Sequence, residues 1–320
     1  MAKKKGLIIL GFLFLLVSAE FVARFKLGLG TPPLFIKHPI VEFMLKPDQE
    51  VYRFGNHFIV NHYSMRSANF SPKKADPKEL RIMAFGDSVL NGGSLTDHSQ
   101  LATTILQSDL EKQLGSKVFV GNISAGNWAP RNWLAYANEF GFFNADIIIV
   151  VLSSHDALNE PVMETLNPNT HPENPPFSAL SEGINRYLPR YLPKWLANQE
   201  SNPVVVKPNN KEGLKDLKLF LELALKSTNK VFVAINPTIK ETETGTMEDG
   251  FQDIVGLLTD MQISYITMQP IFHEASLKQN LYRNEDKIHP NKEGQKLIAE
   301  IIENNIPQEW LKSITALEIR

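Results

Sequence analysis

A chain of 320 residues, 43% hydrophobic and 21% charged, can bury one large core or two modest ones and has the composition of an ordinary globular protein. Lys plus Arg number 33 against 35 Asp plus Glu, a formal charge of −2 that lacks the dense basic surface a general grip on nucleic acid needs. The absence of cysteine excludes disulfides, thiolate catalysis and cysteine-ligated zinc or iron–sulfur sites.

At the N-terminus Lys3, Lys4 and Lys5 precede an apolar run from Gly6 to Ala19, which Phe21, Val22 and Ala23 extend past Glu20. Basic residues ahead of such a run form an export signal with the lysines on the cytoplasmic side. Residues 1–26 are therefore expected to be a signal-anchor or a signal peptide, with the rest of the chain exported. As an anchor the run is short, and Glu20 must sit near the far interface. As a signal peptide it offers Val17 and Ala19 for cleavage before Glu20. Arg24 and Lys26 follow at once with no polar linker, which favours the anchor.

Residues 27–79 carry Pro32, Pro33, Pro39, Pro47, Pro72 and Pro77 and read as an extended arm with short strands such as Phe58-Ile59-Val60. From Leu80 strand and helix signals alternate. Strands are predicted at 81–85, 117–121, 146–152, 231–235 and 263–268, and helices at 101–114, 131–140, 214–225, 249–259 and 292–302. Five short apolar strands separated by helices predict an α/β fold, a three-layer α/β/α domain around a five-stranded, mostly parallel sheet spanning 80–320. Residues 157–208 interrupt the rhythm with nine of the chain's 20 prolines. A stretch of that length, placed after a strand at the carboxyl edge of the sheet, reads as a cap or binding loop.

The strand at 81–85 runs into Gly86-Asp87-Ser88, so Ser88 stands on a rigid support at the sheet's carboxyl edge, and Gly86 lets the backbone turn to expose it. An ordinary turn has the same residues. The α/β-hydrolase elbow is a different pattern, because its second glycine is here Leu90. Near the other end, Asp286 precedes His289 by three residues in Asn284-Glu285-Asp286-Lys287-Ile288-His289-Pro290-Asn291. An aspartate so placed reaches a histidine's Nδ1 and leaves Nε2 to take a proton from a serine. Pro290 and Asn291 are helix-start residues and would pin His289 beside a helix N-terminus. A solvated surface turn is the competing reading of that loop.

Gly86-Asp87-Ser88 and Asp286-Lys287-Ile288-His289 together resemble the first and last sequence blocks of the SGNH (GDSL-like) hydrolase superfamily, a likeness covering about residues 80–304. The resemblance implies a flavodoxin-like α/β/α fold, Ser88 as nucleophile, and Asp286 and His289 completing a triad. It also implies an oxyanion hole. Asn122-Ile123-Ser124-Ala125-Gly126-Asn127 matches the glycine block and makes Gly126 the donor beside the Ser88 N–H. The third block usually reads Gly-Xaa-Asn-Asp; here Ser153-Ser154-His155-Asp156 puts His155 where asparagine is expected. A histidine can donate from one ring nitrogen, and a structural histidine bonded to Asp156 or the backbone is the other reading. Val60-Asn61-His62-Tyr63-Ser64-Met65-Arg66-Ser67 behind an N-terminal anchor resembles members linked to bacterial surface polysaccharide, in several of which an acetyl group is moved on or off a glycan.

Trp128, Trp133 and Tyr136 follow the glycine block, and flat aromatic faces suit sugar rings, although the same spacing fits a helix–sheet core. His57 and His62 lie five apart without an evident carboxylate partner, so no metal site is expected. No phosphate cradle or dinucleotide motif occurs, so no cofactor is expected. The expected function is a serine esterase or O-acyltransferase acting on an acylated glycan or other small ester. Its expected place is a bacterial membrane, facing the periplasm or exterior, or the secreted product of signal cleavage. The alternative is a non-catalytic glycan-binding or polysaccharide-assembly protein on the same scaffold.

Overall fold

In the computed structural model, which describes residues 2–158, 161–162, 166–192, 205–206, 211–284, 286 and 288–315, the N-terminal apolar run is one helix, α1 (Ala2–Leu27). It continues through Glu20 and outlasts the apolar run, because no glycine or proline interrupts it between Gly11 and Gly28. Gly28 has φ 66°, and a Cβ there would lie 2.1 Å from the Tyr52 carbonyl oxygen, so glycine alone fits this exit. Within the segment Lys3–Leu27 an 18-residue window has mean hydropathy 2.4, and residues 3–17 stand exposed. At 1.5 Å per residue the segment reaches about 37 Å, enough for a bilayer core of about 30 Å.

The segment expected as an extended arm folds into two antiparallel hairpins, β1 (Phe35–His38) with β2 (Glu42–Leu45) and β3 (Gln49–Arg53) with β4 (Asn56–Val60). Pro33, Pro39 and Pro47 bound the first hairpin, and the positive-φ turn at Phe54-Gly55 ends β3, so the strands are four or five residues long. Their inward side chains, among them Phe43, Leu45, Phe58 and Val60, nevertheless join the main hydrophobic core and are buried to 3% exposure or less.

The central elements follow: β5 (Leu80–Gly86), α2 (Ser88–Asn91), α3 (Ala102–Leu114), β6 (Val118–Ser124), α4 (Pro130–Phe140) and β7 (Ile147–Leu152). A two-residue ladder, β8 (Pro161–Val162) with β9 (Val205–Val206), and the short α5 (Ala179–Glu182) lie in the proline-rich insertion. After it come α6 (Glu212–Ser227), β10 (Val231–Ile235), α7 (Ile239–Thr244), α8 (Phe251–Asp260), β11 (Ser264–Thr267), α9 (Gln269–Ser276), α10 (Lys292–Asn305) and α11 (Gln308–Thr315). The sheet order is β11-β10-β7-β5-β6, and every ladder in it is parallel.

Both faces of this sheet are covered, as an all-parallel sheet requires. Met83, Phe85, Ile148, Val150 and Leu152 face α4, α6 and α8, while Ile82, Ala84, Ile147, Ile149 and Val151 face α3, α9 and α10. The result is the three-layer α/β/α arrangement read from the sequence. Within the insertion, residues 159–160, 163–165, 193–204 and 207–208 lie outside the described residues. The described part is tied to the N-terminal segment. Glu182 forms a buried ion pair with Arg53 and accepts the Gly30 N–H at 2.6 Å, and Glu20 accepts the N–H groups of Ala179 and Leu180, both at 2.9 Å.

Trp128, Trp133 and Tyr136 are core residues, exposed by 3%, 0% and 0%, so they offer no platform to a sugar. Trp133 packs on Phe220 and donates its Nε1–H to the Gly86 carbonyl at 2.8 Å. Trp133→Ala should therefore lower stability by about 3–5 kcal/mol, and Trp133→Phe, which keeps most of the volume, by a smaller amount. Urea unfolding curves of the two variants check both the size and the order.

Candidate active site

A strand sealed on both faces has its polar neighbours at its ends. Ser88 follows β5 directly and opens α2, whose first N–H groups have no acceptor within the helix. Gly86 makes the turn possible, since a Cβ there would sit 2.8 Å from Leu90 Cβ and 3.0 Å from the Val151 carbonyl oxygen. Asp87 caps the turn by accepting the Val89 N–H at 2.8 Å. Asn91 at the other end of α2 donates to the Ser124 carbonyl at 2.8 Å, which ties this turn to the end of β6 two residues before Gly126. Among the described residues no protein acceptor takes the N–H of Ser88 or of Gly126.

His289 precedes α10. Its Nδ1 lies 2.6 Å from Asp286 Oδ2, while Asp286 Oδ1 accepts the N–H groups of Ile288 and His289, both at 3.0 Å. Burial pushes the Asp286 carboxyl up, but those N–H bonds and the imidazole beside it outweigh burial and hold it below its ordinary value. An ionised Asp286 is the acceptor that fixes the Nδ1–H tautomer and leaves Nε2 open. Asn291 caps α10 through Glu293 and Gly294 and also donates to the carbonyls of Asn280 and Tyr282, so the loop is pinned on both sides of the dyad. Gln295 then joins α10 to α2: its Nε2 donates to the Val89 carbonyl at 2.7 Å and its Oε1 accepts the Ala102 N–H at 3.0 Å.

Ser88, Gly126 and His289 line one cavity of about 210 Å³, together with Phe35 and Phe58 from the hairpins. His155 is not among its lining residues. It lies on the turn after β7, with Nε2 3.9 Å from Asp87 Oδ2, and Asp156 accepts the Ser153 N–H at 2.8 Å. Asp87, His155 and Asp156 keep their ligand atoms within 4.8 Å of one another, a spacing that suits shared protons or a cation. The sequence scan for paired histidines passes over this group, because two separate strand ends bring it together. Burial pushes the Asp87 carboxyl up and the Asp156 carboxyl up to about 7. Burial opposes charge on His155 too, but Asp156 and Asp87 outweigh it and hold its pKa above the ordinary value.

Thr170, His171 and Arg186 from the insertion and Arg283 from the dyad's loop also line the cavity, and the sequence reading missed them. Burial brings His171 down to about 4, so it is neutral and its Nε2–H donates to the Gly126 carbonyl at 3.3 Å. The proline-rich composition signals a cap but not which residues reach the cavity. His62 does have a carboxylate partner, contrary to expectation. The β3–β4 hairpin sets Asp48 beside it, Oδ2 to Nδ1 at 2.9 Å.

No protein-family model matches the chain, and no curated protein matches it. Among solved structures it is similar to a member of the lipolytic G-D-S-L family from Veillonella parvula, at 13% identity and a TM-score of 0.43 over 70% of this chain and 96% of that one. It is similar to a catalytic mutant of an acetylxylan esterase from Geobacillus stearothermophilus, at 12% identity and a TM-score of 0.46 over 72% and 95%. A lipase/acylhydrolase from Enterococcus faecalis matches at 13% identity and a TM-score of 0.40 over 71% and 97%. Likenesses at this level carry no functional argument. What the cavity can do follows from its own residues.

The buried trio makes stability depend on pH. Groups whose native pKa exceeds the unfolded value bind protons more tightly when folded, so their contribution is complete below about pH 4 and is lost as pH rises through about 7. Asp156→Asn should flatten the decline of Tm between about pH 4 and 8 and raise Tm at the alkaline end. A decline as steep as the parent's in differential scanning fluorimetry would contradict this.

Proposed function

We propose that this chain is an SGNH-type serine hydrolase that cleaves or transfers an ester-linked acyl group of acetyl size on an extracytoplasmic glycan. The observation that carries the reading is the Asp286–His289 dyad on the wall of the same cavity as Gly126 and Ser88, a serine at a helix start. In this mechanism Ser88 Oγ attacks the ester carbonyl while His289 Nε2 takes its proton, and Asp286 stabilises the imidazolium. The N–H groups of Ser88 and Gly126 receive the oxyanion, and His155, off the cavity wall, adds no direct donor. His289 returns the proton to the leaving alcohol. Water, or a sugar hydroxyl deprotonated by His289, then attacks the acyl-enzyme and frees Ser88; water makes the protein an esterase and a sugar makes it an O-acyltransferase.

The small cavity and its two phenylalanines support a short acyl group. The exposed apolar helix behind three lysines supports a membrane anchor with the domain on the periplasmic or outer side, or a secreted form cut before Glu20. One observation favours a non-catalytic, glycan-binding reading instead: His155 lies against Asp87 and not on the cavity wall.

Ser88→Ala separates the two. The parent should turn over p-nitrophenyl acetate and show an acetyl adduct by intact-mass spectrometry, and Ser88→Ala should lose the adduct and at least about 10³-fold in rate. Equal rates with no adduct would sink the serine mechanism for this substrate and favour the binding reading. A rapidly discharged adduct marks an esterase, and one discharged faster by added sugar marks a transferase. His155→Ala should lower kcat by less than the about 10²–10³-fold that loss of a direct oxyanion donor costs, while the adduct still forms on Ser88.

A further inference from the structure

The cavity that holds Ser88 and His289 is lined by two guanidinium groups and by no carboxylate among the described residues. Arg283 is fixed relative to the dyad, because its N–H donates to the His289 carbonyl at 3.0 Å. Its Nη2 donates to neutral acceptors only, the Gly92 carbonyl and the Thr96 hydroxyl, and its Nε is buried with no protein acceptor. Asp286, whose charge favours that of Arg283, is already engaged by His289. Arg186 reaches the same cavity from the insertion and pairs with Glu182.

A third cation stands behind the cavity wall. Arg66 is fully buried with its Cζ 3.7 Å from the centre of the Phe58 ring, and its Nη1 donates to the carbonyls of Asn91 and Gly93 at 3.2 and 3.0 Å. Its Nε and Nη2 have no protein acceptor, and it makes no ion pair among the described residues. Burial brings Arg66 down to about 9, which leaves it charged at neutral pH. Asp97 favours its charge and Arg283 opposes it; with no carboxylate in direct contact, a guanidinium this buried is costly to hold, and in a low-dielectric cleft it concentrates anions. The chain as a whole is slightly acidic, so this positive field is local to the cavity. A guanidinium fork matches the paired oxygens of a carboxylate or phosphate.

We infer that the ester substrate carries an anionic group, a carboxylate or a phosphate, next to the acyl-bearing position, and that Arg283 together with Arg186 receives it while Ser88 attacks the ester. This specifies the substrate class of the serine-hydrolase reading and rests on it. Arg283 and Arg186 then set which glycan enters, and Arg66 supports them through the field it adds behind Phe58.

The test is a binding titration on full-length Ser88→Ala in detergent, which needs no turnover. Three ligands are compared at low salt: an O-acetylated methyl uronate glycoside as free acid, the same compound as its methyl ester, and an O-acetylated methyl glycoside 6-phosphate. One of the two anions should bind at least about 10-fold tighter than the methyl ester, with the gap closing as salt rises. The tighter anion identifies carboxylate or phosphate as the group received. Arg283→Gln should erase the gap, and Arg283→Lys should keep part of it. Equal affinity of all three ligands in the parent background, including no binding by any, would overturn the inference. Because p-nitrophenyl acetate is neutral, its turnover by the unmodified chain reports on the serine mechanism separately.

Discussion

Because hydrophobic side chains seal both faces of Leu80–Gly86 and Ile147–Leu152, the polar residues of these two segments collect where the strands stop. Everything placed at the cavity follows from that constraint. Parallel strands end on the same side, so the turn holding Ser88, the Ser153–Asp156 turn and the loop after Val118–Ser124 share one edge of the sheet. Side-by-side pairing of the first two strands sets His155 against Asp87 although 68 positions separate them in the chain. Open sheets of this kind form their crevices at that edge, and here the hairpins and the proline-rich insertion supply the remaining walls.

The dyad belongs to a different part of the chain, and its position relative to Ser88 is held by few contacts. Gln295 bonds to the backbone at Val89 and at Ala102, so the last long helix, the serine's short helix and the helix after it share one buried amide. Asn291 fixes the loop at its helix end, and the Tyr282–Pro290 bridge closes its neck. A proton-transfer group needs placement within a fraction of an ångström, and loops seldom provide it unaided. The cost appears at the other flank of Ser88, where Asp87, His155 and Asp156 are buried together and share too few countercharges for all to ionise at neutral pH.

What the sequence makes legible follows range. The five strands are short apolar runs between helices and can be read locally, as can Gly86-Asp87-Ser88 and the Asp286–His289 pair, whose members are three apart. The hairpins from Phe35 to Val60 leave almost no periodic signal, because their strands are only four or five residues long. Their share of the core is invisible until the chain is folded. Trp133 and Tyr136 show the limit of composition: one spacing fits a sugar platform and a core helix alike, and only burial separates them. The arginines at the cavity are legible to no local rule, since Arg283 and Arg186 derive their meaning from what lies opposite in space.

The contacts between the N-terminal helix and the insertion have a consequence for maturation. Glu20 and Ala23, which contact the Ala179–Glu182 turn, lie after the candidate cut site, while residues 3–17 stand exposed. Proteolysis between Ala19 and Glu20 would remove the greasy leader and leave the carboxylate that clasps the turn. Retention and release would then yield the same architecture around Ser88, and the choice between them would decide only whether the protein is moored or free to diffuse.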